Sequence, residues 1–187
     1  VATALLTLLA SGCGNSHNAT AVEGGWVRIE PEGAGFSIEF PAAPGDDETL
    51  GNDGQPMILG GRRIVLDQGE RKAQFRIEYL DYDENLITTL TQATDGVPQK
   101  LVDAGTMKLT TDLGGSVTRS KPTSLGDHPG SEVEVRFEDG GSAQAHVYLV
   151  GTRLYRLVVS RPLRSPLLSE VKRFLGSFAL HDADTSG

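Results

Sequence analysis

The 187-residue sequence predicts a single α+β domain, an antiparallel β-sheet flanked by helices. Three observations predict it. Apolar and polar residues alternate with a period of two in short runs such as 36–40, 75–79 and 133–137, the mark of half-buried strands. Tight glycine-bearing turns separate three consecutive runs near the C-terminal end. Helical spacing of apolar residues recurs in three other stretches.

Along the chain, Phe36, Ile38 and Phe40 alternate with Ser37 and Glu39 before Pro41 stops the strand. Residues 45–55 form the longest irregular insert, acidic through Asp46, Asp47, Glu48 and Asp53. A strand at 64–66 pairs across 68–70 with the run in which Phe75, Ile77 and Tyr79 alternate with Gln74, Arg76 and Glu78. The pattern turns the apolar set inward and the charged set outward. Asp83 caps a helix carrying Leu86, Ile87 and Leu90. Pro98 suits the first turn of a second helix, with Leu101, Val102, Gly105 and Leu109 on one face. Three strands, 131–137, 142–150 and 153–160, then form a meander through Asp139-Gly140-Gly141 and Gly151-Thr152. The last two are apolar on both faces and belong in the centre of the sheet. Ser165-Pro166 opens a third helix bearing Leu167, Leu168, Val171, Phe174 and Leu175, and Gly176 closes it. Residues 177–180 return as a short final strand.

The first 10 residues are apolar and uncharged, about half the ~20 needed to span a bilayer as a helix. They end in Ala10-Ser11-Gly12-Cys13, which resembles the processing site of a bacterial lipoprotein, cleaved between Gly12 and Cys13. Ala10 stands where such sites usually carry Leu. No Met or basic residue leads the run, so this signal is read as truncated at its start. A lipidated Cys13 with an acylated amino group supplies the two chains that stable anchoring needs, each buried methylene contributing about 0.8 kcal/mol. Two other readings stay open: an ordinary cleaved secretory signal with a free thiol, and a clipped membrane span. The expected organisation is thus a signal peptide at 1–12, a lipidated cysteine and flexible tether at 13–25, a globular domain at 26–180 and a disordered tail at 181–187. The tether, polar and small, has a root-mean-square reach of roughly 20 Å. The expected location is outside the cytoplasm, on the cell membrane or on the outer membrane, facing the periplasm or exterior.

Bulk properties agree with that location. About 175 residues remain after the leader, enough for one full core. A single cysteine excludes an intramolecular disulfide. The net charge of −8 argues against nucleic acid and against electrostatic adhesion to anionic lipid, so attachment to a bilayer rests on Cys13. A monomer is expected.

The order of elements carries a further resemblance. Gly35-Phe-Ser-Ile-Glu-Phe-Pro41 opens it; a strand pair, two helices, a meander and a closing helix follow; Arg153-Leu-Tyr-Arg-Leu157 and Lys172-Arg-Phe-Leu-Gly-Ser-Phe178 complete it. Over residues 26–180 this resembles the PsbP fold and related envelope lipoproteins of the DcrB and LpqN groups. The resemblance implies an α/β/α sandwich used as a binding or accessory module, with no catalytic residue to carry over. Some PsbP proteins bind metal, but no matching ligand set is present here, and no cofactor is expected.

Several clusters deserve weighing as sites. Asp81, Asp83 and Asn85 imitate the opening of a calcium loop, but Leu86 replaces the needed Gly and Gln92 the bidentate Glu. Asp81 and Asp83 are therefore weak metal candidates, better read as a strand end and a helix cap. His17 and His181 fall in the tether and tail, and His146 in a strand. His128 falls in Gly126-Asp127-His128-Pro129-Gly130, read as a turn leading to a strand at Ser131. Arg153, Arg156, Arg161, Arg164, Lys172 and Arg173 concentrate towards the C-terminus. Lys172 and Arg173 also suit the last turn of a helix, where cations complement the dipole. Asp127, His128, Arg161 and Arg164 are candidates for a partner surface. Trp26 reads as a core anchor and Tyr82 as exposed. No nucleophile elbow, Walker or dinucleotide fingerprint occurs. The leading expectation is a membrane-anchored, non-catalytic binding module of the cell envelope. The alternatives are a carrier or receptor for a small apolar ligand or lipid, and a hydrolase whose site assembles only in three dimensions.

Overall fold

A computed structural model describes residues 17–52, 54–69, 73–163 and 167–181. Strands β1 (His17–Ala21), β2 (Val27–Pro31), β3 (Phe36–Phe40), β4 (Asp46–Leu50), β5 (Ile58–Asp67) and β6 (Gln74–Tyr82) come first. Helices α1 (Glu84–Ala93) and α2 (Val97–Leu113) follow, then β7 (Ser116–Leu125), β8 (His128–Arg136), β9 (Ser142–Val150) and β10 (Arg153–Arg161). Helix α3 (Leu168–Gly176) and β11 (Ala179–Leu180) close the chain. The architecture is the expected α+β class, a single domain built on antiparallel strands.

The strands form two sheets. Seven run in the order β4-β5-β6-β10-β9-β8-β7, and four in the order β1-β2-β3-β11. After β6 the chain crosses one face of the large sheet as α1 and α2. It re-enters at the far edge as β7 and winds back until β10 docks against β6. The flanked antiparallel sheet expected from the sequence is thus the centre of a three-layer arrangement, and a second, four-stranded sheet joins one outer layer. Helices α1 and α2 cover one face; the small sheet and α3 cover the other.

Two cores result, one on each face. On the small-sheet side Phe36, Phe40, Phe75, Tyr155 and Phe174 are nearly inaccessible. Their rings meet mostly edge-on, as at Phe40–Phe174 (5.0 Å) and Phe36–Tyr155 (5.6 Å), the arrangement the ring quadrupoles favour. On the helix side Val102, Leu109, Val133, Val147 and Leu154 pack together. Strand β10 serves both cores, sending Tyr155, Leu157 and Val159 one way and Leu154 and Val158 the other. That is why it reads as apolar on both faces.

Local chemistry explains the helices. The Asp83 carboxylate accepts from Leu86 N–H at 3.0 Å and caps α1. Pro98 lies in the first turn of α2, and Gly114, at φ 67°, ends it in the left-handed conformation. Helix α3 buries Val171, Phe174 and Leu175. Its Arg173 reaches back to the Glu39 carboxylate at 2.8 Å and lies 4.4 Å over the Trp26 ring. Trp26 is buried, as expected of an anchor.

Several expectations are corrected. The tether at 13–25 contains β1, whose Ala19 pairs with Ile29 of β2, and a 3-10 turn at Glu23–Gly25. Backbone pairing compensates there for the lack of apolar side chains. The irregular insert at 45–55 contains β4, because Asp47 and Glu48 meet Arg62 and Arg63 across the ladder. The turn placed at 126–130 is shorter: β8 already begins at His128, opposite Leu125. Tyr82 is buried among the helix-side core rather than exposed. Glu78 is buried and Arg76 largely covered, although the alternation turned both outward. Gly12, Cys13, Arg164, Ser165, Pro166 and the tail beyond His181 lie outside the described residues. No helix among the described residues is long and apolar enough to cross a membrane.

Candidate functional site

A cleft in which polar groups converge lies on the small-sheet side, between the C-terminal half of α3 and strands β7 to β9. Its volume is about 260 Å³. Register sets its floor. Lys121, Glu132 and His146 stand side by side across the three strands, and Arg119, Glu134 and Gln144 form the next row but one. Lys172, Leu175 and Gly176 of α3 make the wall.

The rows are ionic. Lys121 Nζ lies 2.7 Å from Glu132, and Arg119 lies 3.7 Å from Glu134. Burial pushes the Glu132 carboxyl up, but hydrogen bonds from Lys121 and Thr123 and the charges of His146 and Lys121 outweigh it, holding it below its ordinary range. Burial pulls the His146 imidazole below its ordinary value; Glu132 opposes that shift and Lys121 adds to it. The ring is thus neutral at pH 7, beside an ionised carboxylate. His146 Nδ1 shares a 3.1 Å hydrogen bond with the Tyr148 hydroxyl, and the Tyr148 ring stacks on Phe178 at 6.2 Å.

This arrangement offers alternating charges, a neutral imidazole and an apolar patch at Leu175. Lys172 is exposed on the rim and forms no ion pair with any described residue. None of the lining side chains is a serine, threonine or cysteine that could act as a nucleophile. At about 260 Å³ the groove falls just below the 300–1,000 Å³ typical of small-molecule pockets.

The residues singled out in the sequence do not converge. Asp81 is bound by Arg153 at 2.5 and 3.1 Å, while that guanidinium also donates to the Ala34 carbonyl at 2.8 Å. Asp83 Oδ1 accepts from Leu86 N–H as the cap of α1. Among the described residues no group of three or more His, Cys, Asp or Glu side chains is placed to hold a metal ion. Asp127 and His128 lie at one end of the sheet and Arg161 at the other, separated by the nine-residue span of β9, roughly 27 Å. They form no common surface. The C-terminal basic residues disperse likewise. Arg153 serves Asp81, Arg156 is buried, Arg161 donates to Ser142 at 3.2 Å, and of those described only Lys172 reaches the groove.

Reading the sequence missed Arg119 and Lys121 because β7 was not recognised. It took Glu132 and Glu134 for a solvated face. The available signal was the repeated opposite charge, Arg-Ser-Lys at 119–121 against Glu-Val-Glu at 132–134, across one tight turn.

No protein-family model and no curated protein matches the chain. Among solved structures it is similar to cyanobacterial PsbP (CyanoP) from Synechocystis sp. PCC 6803, at 14% identity and a TM-score of 0.49, over 91% of this chain and 96% of that one. A Bacteroides thetaiotaomicron structure matches at 14% identity and TM-score 0.40, over 85% of this chain but only 49% of its own. A Pseudomonas aeruginosa protein of unknown function matches at 11% identity and TM-score 0.37, over 79% and 87%. Likenesses at such identities concern the course of the backbone and leave activity and partners open.

Proposed function

We propose that this chain is a non-catalytic binding module of the bacterial cell envelope, held on a membrane through lipidated Cys13 and engaging a protein partner through the α3/β7–β9 groove. The binding part is carried by the groove itself. Ionic rows pre-formed in pairs, with Lys172 on the rim free of ion pairs among the described residues, offer a fixed pattern that a partner can match at little reorganisation cost. The anchor rests on Ala10-Ser11-Gly12-Cys13 and on the acidity of the rest of the chain, which gives no other means of holding an anionic bilayer.

The alternative of an apolar ligand held between sheet and helices has less in its favour. Helix α2 packs so closely that a Cβ on Gly105 would come 2.5 Å from Leu154. The opening beside α2, about 310 Å³, is at its rim and carries Asp103, Thr110 and Ser131 as well as Met107 and Val117.

Membranes of a bacterium expressing the full gene test both parts. Mass spectrometry is expected to find diacylglyceryl on Cys13, and Cys13→Ser to move the protein to the soluble fraction. A bare Cys13 in membrane-bound protein would sink the anchor. A photocrosslinker at position 176, where a Cβ meets nothing within 4 Å and Lys172 is left in place, is expected to trap one partner that Lys172→Glu in the unlabelled protein fails to compete away, whereas wild type competes. Equal competition by both removes the groove from the reading.

A further inference from the structure

On the opposite face of the sheet from the groove, three arginines converge on one carboxylate. Glu78 of β6 stands directly between Arg63 of β5 and Arg156 of β10, and Arg76 lies two residues along the same strand on the same face. Glu78 is 3% exposed; its Oε1 accepts from Arg63 Nε at 2.6 Å, while Arg76 Nε lies 3.3 Å away. Arg156 is the outlier. Its side chain is 8% exposed, and its nearest carboxylate oxygen on Glu78 is 3.6 Å away. Both the Arg156 and Arg76 Nε atoms are buried without a hydrogen-bond partner among the described residues. Burying a guanidinium with its donors unmet is costly. One carboxylate cannot serve three planar forks of five donors each.

A chamber of about 50 Å³ lies against Arg156, Arg63 and Glu78, roofed by α2 at Lys108 and Asp112 and by the loop after β4. The surrounding carboxylates are already engaged. Asp112 is held through both oxygens by Lys108, at 2.7 and 2.9 Å, and Glu48 holds Arg63 at 3.0 Å. Among the described residues that line the chamber, Arg63, Lys108 and Arg156 face Glu78 and Asp112, so the cations are in excess.

We propose that this chamber is a binding site for a small inorganic oxyanion of the phosphate or sulfate class, with Arg156 as the buried donor and Lys108 as the cation at the entrance. Guanidinium forks match the paired oxygens of such anions, and a tetrahedral anion can satisfy donors that water would leave charged. A chamber of about 50 Å³ restricts the ligand to a few heavy atoms and has no room for a nucleotide or sugar phosphate. Water alone could fill the space but would leave the excess charge in place.

The test uses the full chain titrated with inorganic phosphate at constant ionic strength in chloride, followed by calorimetry and by phosphorus NMR line width. Saturable binding to one site is expected. Arg156→Lys, which keeps the charge but loses the fork, should weaken it about tenfold or more. Lys108→Gln should weaken it several-fold and Asp112→Asn tighten it several-fold, opposite effects from adjacent positions on the roof. These two variants decide the matter if Arg156→Lys does not fold. No saturable binding by the folded wild type up to about 10 mM overturns the proposal, as does binding that none of the variants changes. Neither result bears on the groove across the sheet.

Discussion

His146 shows how one side chain reports on the groove. Burial lowers its pKa from the ordinary 6.5, Glu132 pulls it up, and Lys121 pushes it further down. The unfolded chain takes up a proton near 6.5, and the folded ring does so only at lower pH. The stability associated with a neutral His146 is therefore complete above pH 6.5 and declines as pH falls through that value towards the folded pKa. Proton NMR of the histidine rings is expected to give His146 a midpoint below 6.5. Glu132→Gln should lower it further, by removing the one attractive charge. A midpoint at or above 6.5 would mean that burial does not outweigh the pull of the Glu132 charge on the ring. Glu39 has the opposite dependence. Burial raises its carboxyl, but hydrogen bonds and charge from Arg173 and Arg28 bring it below 4.5 on balance. Its support for the α3 contact is present above pH 4.5 and fades as pH falls through the lowered value.

At the scale of elements, the tightest constraint is where β5 meets β6. A Cβ on Gly61 would lie 2.1 Å from the Tyr79 carbonyl oxygen, a backbone atom that cannot swing aside. Gly61→Ala should cost about 3 kcal/mol or more in urea unfolding, whereas Gly45→Ala, with nothing within 4 Å, should stay within about 0.5 kcal/mol. Equal effects would mean that β5 carries no such close approach. Legibility followed the same physics. Strands with one apolar face, β3, β6 and β8, were readable because period-two alternation needs only a half-buried ladder. Helix α1 was readable from its cap, and α2 from Pro98 and one apolar stripe. Strand β7 was not, because it is an edge strand exposed almost throughout and interrupted by Pro122, so no inner face is written into it. β1 and β4 escaped for a related reason, being held by backbone ladders and ion pairs rather than apolar burial. Both the groove and the arginine cluster were hidden too. Alternation tells which residues share a face but not that another layer covers the charged face, as α2 covers Glu78.

For the molecule as a whole, the small sheet ties the N-terminal segment to the last strand. β1 pairs along all five of its residues with β2, while β3 takes β11 on its other side. A chain starting at Trp26 should therefore fold but unfold at a lower temperature than one starting at His17, by about 1–3 kcal/mol of lost ladder hydrogen bonds. Matching melting temperatures would mean that residues 17–21 pair only transiently with β2.

Strand β10 occupies the middle of the large sheet yet is the last of its seven strands in chain order. As the chain emerges from a ribosome, β6 keeps an open side until residue 161 has been made. No earlier fragment can seal either hydrophobic layer, so acquisition of the native state is postponed until all seven strands of the sheet are available. Refolding should accordingly take milliseconds to seconds rather than microseconds, as the wide sequence separation between paired strands requires.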